Sequence, residues 1–223
     1  MTNRSQTAST HWVPAARMPD WPQNEVHLWR IDLRNAPTDA SILTTDERAR
    51  PARFQQTRSL LRSLLGRYLN QSPQSLHIDY GANGKPFLSP HPSRVTLYFN
   101  LSHADEIALI AISSVAEVGV DVERIRSVGH IQKIARRFFT LRDLTWLGEE
   151  PSEERFFQVW TRTEARIKAQ GMGVFAASSE ATSVSVLNID ARTDYAAAVA
   201  VHGEMPILKF WEWEAANGAE EKK

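Results

Sequence analysis

The sequence predicts an α+β protein of two similar lobes, each built from antiparallel strands packed with helices, the two related by a pseudo-two-fold axis. Three observations predict it. The 223 residues suffice for two lobes near the usual domain size. Each half of the chain holds a block of helical spacing beside strand-like runs. The strand-like run EIALIAIS in the first half is echoed by YAAAVAVH in the second. The expected boundaries are an irregular lead-in over 1–24, an N-terminal lobe over 25–113, a C-terminal lobe over 114–215 and a frayed tail over 216–223.

The elements follow in order. EVHLWRIDL (25–33) alternates apolar and polar residues and reads as a strand. Residues 44–69 carry helical spacing, with Leu60, Leu61, Leu64, Leu65 and Tyr68 as the buried stripe and Pro51 as a break or helix start. SLHIDYGANGKPFL is a short strand followed by a Gly/Asn turn. VTLYFNLSH and EIALIAIS are β-rich runs divided by a short polar turn, a hairpin signature, and VGVDVE follows as a further strand. HIQKIARRFFT, LRDLTWLGEE and SEERFFQVWTRTEARIKAQ are helical, and GMG ends the last of them. VSVLNI, YAAAVAVH and LKFWEWE read as strands.

Composition bounds the function. Acidic and basic side chains balance at 26 each, so no global basic field argues for nucleic acid. The absence of cysteine excludes disulfides, thiolate zinc sites and a cysteine nucleophile, and fits a reducing cytoplasm. No apolar run is long enough to span a membrane, and the first residues lack the apolar core of a signal peptide. The expectation is a cytoplasmic protein with no nucleic-acid or membrane partner.

The chemistry starts at VGVDVE. Asp121 and Glu123 lie one residue apart on a strand, so both point to one face, about 6.5–7 Å apart for a rise of ~3.3 Å per residue. One reading is a solvated edge whose acids pair with Arg124 or Arg126. The other is a divalent cation between them, because Mg²⁺ is held by one or two carboxylates with waters and substrate phosphates. A third acid stands in WTRTEARIK, where Trp160, Glu164 and Lys168 share one helix face. That stripe is either an ordinary amphipathic face or, with Trp160 packing inward, a buried Glu and Lys that need a metal or phosphate. Ser102 and His103 end a strand in FNLSH and read either as a hairpin turn or as site residues; no G-x-S-x-G elbow surrounds Ser102. Lys85 sits in a glycine turn that is not a Walker loop. Residues 48–67 hold six arginines and no acid, either a solvated face or a phosphate-binding surface.

The order GKP, FNLSH, GVDVE, RRFFT, WTRTEARIK, GMG resembles that of the 4′-phosphopantetheinyl transferases, in their larger, two-lobed Sfp-type branch. The resemblance runs from about Thr44 to Gly173, and the fold logic extends to about Glu214. It implies an enzyme that moves the phosphopantetheine arm of coenzyme A onto a serine of an apo carrier protein (acyl, peptidyl or aryl) and releases adenosine 3′,5′-bisphosphate. It implies that Asp121, Glu123 and Glu164 hold Mg²⁺, with Mn²⁺ as the other candidate. By the same resemblance Glu164 is the general base for the carrier serine, and Lys168 contacts the phosphate at the reaction. His103 lies near the phosphates, with a catalytic role. Lys85, Ser102 and His103 bind coenzyme A, and Arg50 and Arg58 hold the adenosine 3′-phosphate. A monomer is expected, its two lobes standing as a pseudo-dimer. Two departures are noted: Thr163 replaces a lysine of many relatives, and Glu47 stands where several have a basic residue. The alternatives are a catalytically weak relative that binds coenzyme A or a carrier protein, and a metal-dependent phosphoesterase using the same three acids.

Overall fold

A computed structural model describes residues 7–8, 10–15, 17–89, 96–171 and 183–214. In chain order its strands and helices are β1 (Thr7–Ala8), β2 (Val13–Pro14), β3 (Glu25–Asp32), α1 (Thr45–Arg48), α2 (Ala52–Leu69), β4 (Ile78–Tyr80), β5 (Pro86–Leu88), β6 (Tyr98–Ala104), β7 (Ile107–Ser113), β8 (Val118–Arg124), α3 (Ile131–Phe138), α4 (Leu141–Leu147), α5 (Glu153–Gln170), β9 (Val184–Ile189), β10 (Tyr195–His202) and β11 (Ile207–Glu212). The α+β class is as expected, and so is the β6–β7 hairpin, in which Ala104 faces Ile107 across a turn at Asp105. The tail expected to fray lies outside the described residues. Among the described residues, no helix is long and apolar enough to cross a membrane.

Two sheets stack with a helix on each outer face. The larger has the order β2-β11-β3-β7-β6, the smaller β1-β9-β10-β8, and β4 pairs with β5 apart from both. Strand alternation explains the layering. Trp29, Ile31, Phe99, Ala108, Ile110 and Ile112 point outward from the larger sheet onto Leu60, Leu61, Leu64 and Leu65 of α2. Val26, Leu28, Leu109 and Ala111 point the other way, onto Val118, Val120, Val122, Val199 and Val201 of the smaller sheet. Ala198 and Ala200 on the far side receive Ala165 and Ala169 of α5. Small residues on both surfaces let that helix lie close. β7 and β10, the two echoed runs, hold corresponding places, each between two antiparallel partners.

The last strand departs from expectation. The sequence places LKFWEWE in the C-terminal lobe, yet β11 lies in the larger sheet, parallel to β3 from Ile207 opposite Glu25 to Glu212 opposite Arg30. Its alternation shows why: Leu208 and Phe210 join the core between the sheets, while Trp211 packs with Trp29 on the α2 side. The larger sheet therefore draws on both ends of the chain and is mixed.

The acid-free arginine helix also needs correction as a uniform phosphate surface. Thr44 and Glu47 form a capping box, the Thr44 hydroxyl accepting from the Glu47 amide and the Glu47 carboxylate from the Thr44 amide. That carboxylate also takes both Arg62 Nε (2.8 Å) and Nη2 (3.1 Å), and Arg62 Nη1 donates to the carbonyls of Pro73 and Leu76. Arg62, 2% exposed, is thus a tie between α2 and the chain around it.

Candidate active site

Among the described residues, β6 and β8 are edge strands of their sheets, and they run side by side. Side chains join them. Asn100 Oδ1 accepts from the Val120 amide at 2.9 Å, and the Ser102 hydroxyl donates to Asp121 Oδ1 at 2.9 Å. The alternation of β8 sends Val118, Val120 and Val122 into the core between the sheets. Gly119, Asp121 and Glu123 therefore face α5. Gly119 decides how near that helix comes: a Cβ there would lie 2.1 Å from the Ala165 carbonyl oxygen and 2.5 Å from the Ala169 amide nitrogen.

This approach brings Lys168 onto the acid strand. Its ammonium donates to Asp121 Oδ1 at 2.6 Å, to Ser102 Oγ at 3.2 Å and to the Val120 carbonyl at 3.3 Å. Asp121 is 4% exposed, and its second oxygen, Oδ2, is buried with no hydrogen-bond partner. Glu164, one turn before Lys168, is half-buried beside the same strand. Partial burial pushes its carboxyl above the usual value, and the charges of Asp121 and Glu123 push it the same way, with Lys168 opposing. Glu123 pairs at the surface with Arg126 at 3.2 Å. The stripe of Trp160, Glu164 and Lys168 is not buried, as one sequence reading had it; all three are half-exposed, on the shoulder of α5. Trp160 is held there by Phe138, Phe139 and Phe156, with ring centroids 5.8–6.3 Å away.

The other predicted residues surround this centre unequally. His103, next to Ser102 but on the opposite strand face, is exposed at its rim. Crowding by the protein, then Arg53 and Lys168, hold its pKa below the ordinary 6.5. Lys85 donates to Glu117 at 2.5 Å and to the Val118 carbonyl at 3.0 Å, and Asn83 of the same turn donates to the Gly171 carbonyl. The GKP turn thus docks where α5 ends and β8 begins. Arg58 is 6% exposed, between the rings of Phe54 and Tyr80, and donates to the Tyr80 hydroxyl at 2.7 Å. Its Nη1 is buried without a partner. Arg50 is exposed, over the Phe54 ring.

Among the described residues, no three His, Asp or Glu side chains gather as a preformed metal cage. The donor set nevertheless fits a hard cation: Asp121 has an orphaned buried carboxylate oxygen, and the ionisation of Glu164 is opposed by the charges of Asp121 and Glu123; a cation relieves both.

Comparison with known proteins bears on this arrangement directly. Residues 117–218 match the ACPS family, the 4′-phosphopantetheinyl transferase superfamily. The chain is 33% identical to the 4′-phosphopantetheinyl transferase HetI of Nostoc sp., over 91% of its own length and 98% of that protein. This chain belongs to the 4′-phosphopantetheinyl transferases. More partial similarity links it to the transferase AcpT of Escherichia coli, 37% identical over 49% of this chain and 55% of AcpT. It also links it to the transferase gsp of Aneurinibacillus migulanus, 34% identical over 52% of this chain and 47% of gsp.

Within this transferase, sequence reasoning missed two residues. Asn100 stands in FNLSH and shares a strand face with Ser102, which is the signal that marks it. Arg53 stands in the arginine run and is the cation that acts on His103 from α2. Thr163 is 5% exposed, its hydroxyl donating to the Val159 carbonyl, so it faces the core and away from the acids.

Proposed function

We propose that this transferase moves the 4′-phosphopantetheine arm of coenzyme A onto a serine hydroxyl of an apo carrier protein. The observation that carries the reading is the buried Asp121, with an unpartnered oxygen, against Lys168 and Glu164 at the seam of the two sheets. In the step, the serine oxygen forms a bond to the β-phosphorus of the pyrophosphate and the bond from that phosphorus to the bridging oxygen breaks. Adenosine 3′,5′-bisphosphate leaves, and Glu164 takes the serine proton. Its raised pKa makes it a stronger base than an ordinary carboxylate, and its half-exposed position leaves it open to a macromolecular acceptor. Lys168, His103 and Arg53 supply positive or donating groups around the site for the pyrophosphate, and phosphoryl transfer depends mainly on such positioning and charge neutralisation. Asp121, Glu123 and Glu164 would hold Mg²⁺ or Mn²⁺, which supplies charge neutralisation to the phosphate oxygens. Arg58, with its free Nη1, suits the 3′-phosphate, and Arg50 stands beside the same Phe54 ring. Lys85 and Ser102 complete the coenzyme A contacts proposed here.

The test is mass spectrometry of apo carrier proteins of fatty-acid, polyketide and nonribosomal-peptide type after incubation with coenzyme A and Mg²⁺. A gain of about 340 Da on the carrier is expected from the covalent change. A chelator should abolish the gain, and added Mg²⁺ or Mn²⁺ should restore it. Full transfer in metal-free buffer would remove the metal from the reading. Release of the adenosine bisphosphate with no carrier present would point to the phosphoesterase instead.

A further inference from the structure

Arg162 and Arg166 interleave with the reacting stripe of α5 but take no part in it. Arg162 stands two residues before Glu164, about 200° around a helix of 3.6 residues per turn, so the two arginines lie on the opposite flank. They are half-buried there, one turn apart, beside α4 and β9. The Arg162 guanidinium lies over the Trp146 ring of α4, 5.7 Å from its centroid, and Nη1 donates to Asn188 Oδ1 of β9 at 3.3 Å. Asn188 is 5% exposed, and its own amide donates to the carbonyls of Gln158 and Ala197, which fixes its oxygen toward Arg162. Ring and amide together hold the guanidinium in place.

Charge is what this flank does not balance. Among the described residues no carboxylate pairs with Arg162, whose polar partner is a neutral amide. Arg166 reaches Asp143 Oδ2 at 3.4 Å, and that oxygen already accepts the Thr140 hydroxyl at 2.7 Å. Burial first, and then the charge of Arg166, hold the pKa of Arg162 below its ordinary value; Asp143 opposes this and Arg142 adds to it. Arg142, Arg162 and Arg166 thus face Asp143 alone, which leaves two positive charges. A half-buried cation without a counter-charge is unfavourable, and stacking on an indole offsets only part of that. A phosphate monoester carries about −1.5 to −2 near neutral pH, and its oxygens accept the arginine fork in pairs. It matches both the charge and the donors of this flank.

We propose that Arg162 and Arg166 form a binding site for a small phosphate-bearing anion, on the flank of α5 away from Glu164 and Lys168. The site stands apart from the transfer reaction and does not depend on the transferase reading. Free phosphate and the phosphate group of a small metabolite share the chemistry it recognises. The anion acts by relieving the repulsion between the two guanidiniums, so it stabilises α5 in its place against α4 and β9.

The experiment compares thermal melting and calorimetric binding for the unaltered chain, Arg162→Gln and Arg166→Gln. Buffers contain chloride, inorganic phosphate or glycerol 3-phosphate at one ionic strength, so that plain screening does not imitate binding. Inorganic phosphate and glycerol 3-phosphate should both raise the melting temperature of the unaltered chain. Tighter binding of inorganic phosphate would identify free phosphate as the ligand, and tighter binding of glycerol 3-phosphate a phosphorylated metabolite. Each substitution should weaken that binding about 10-fold or more, the usual weight of a lost charge-assisted hydrogen bond. The substitutions also locate the anion, because phosphate held at the transfer site would be indifferent to them. Coenzyme A affinity should stay unchanged in both variants, which reports that they fold. In chloride, Arg162→Gln should melt no lower than the unaltered chain, because it removes a crowded charge. A lower melt in chloride, with the phosphate response of the unaltered chain retained, would make Arg162 a structural stack on Trp146 and overturn the site. Equal phosphate binding by all three chains would overturn it by placing the anion elsewhere. No binding by the unaltered chain would overturn it outright and leave the transferase reading standing.

Discussion

Glu164 carries two roles in the proposal, and they separate experimentally. As a metal ligand it contributes charge; as a base it accepts a proton. Glu164→Gln keeps the shape and one carbonyl oxygen but is not usefully basic. Coenzyme A should still bind, because Asp121, Glu123, His103 and the arginines remain. Transfer should fall about 10²–10⁴-fold, the usual effect of losing a general base. Asp121→Asn should instead weaken the metal first, so that excess Mg²⁺ restores part of its activity. Titrating Mg²⁺ for both variants, with coenzyme A affinity measured alongside, checks this; full recovery of Glu164→Gln at high Mg²⁺ would leave Glu164 a ligand only. A second residue makes a prediction about stability. Burial works to raise the pKa of Glu47, but the Arg62 bonds, the Thr44 amide and Arg58 outweigh it and hold the carboxyl below its ordinary value near 4.5. A group depressed in the folded state adds stability above its unfolded pKa and loses it as pH falls through the folded value. Unfolding by urea should therefore become easier as pH drops below about 4.5. Glu47→Gln should remove that pH dependence and cost about 3–5 kcal/mol, because Arg62 is left buried without its counter-charge.

At the scale of elements, the site depends on one close approach. α5 can bring Glu164 and Lys168 to the acid strand because Gly119 has no side chain. Gly119→Ala should force the helix and strand apart, with a loss of about 1–3 kcal/mol or more for overpacking against backbone atoms. Transfer should fall although no reacting group has changed, and thermal melting beside the transfer rate tests both halves of that expectation. A melt and rate like those of the unaltered chain would mean that α5 is not held by this contact. The elements were also where the sequence was most readable. Alternation over VGVDVE put both acids on one face, and the i, i+4 spacing put Glu164 and Lys168 on one helix stripe. Local periodicity could do that because both patterns lie within single elements. It could not tell that the stripe occupies the shoulder of α5, since that depends on which small residues meet the sheet. Nor could it separate Arg62 from Arg58: both lie in one acid-free run, and their different fates are set by Glu47, Tyr80 and two carbonyls distant in sequence.

Across the whole molecule, two stacked sheets were foreseen in outline as two lobes, and the strand echo is matched by the equivalent positions of β7 and β10. The destination of the last strand was not foreseen, because a strand pattern names its faces but not its neighbours. That strand has a consequence for how the protein is made. β3 is finished early in synthesis, yet its partner β11 begins about 175 residues after Asp32. At 5–20 residues per second, roughly 9–35 s pass before the partner exists. During that interval β3 has its unpaired flank open to other chains, bordered by apolar Val26, Leu28, Trp29 and Ile31. The first lobe to be translated is consequently among the last parts to be completed, and a nascent or truncated chain lacking its final strand carries a ready template for misassembly.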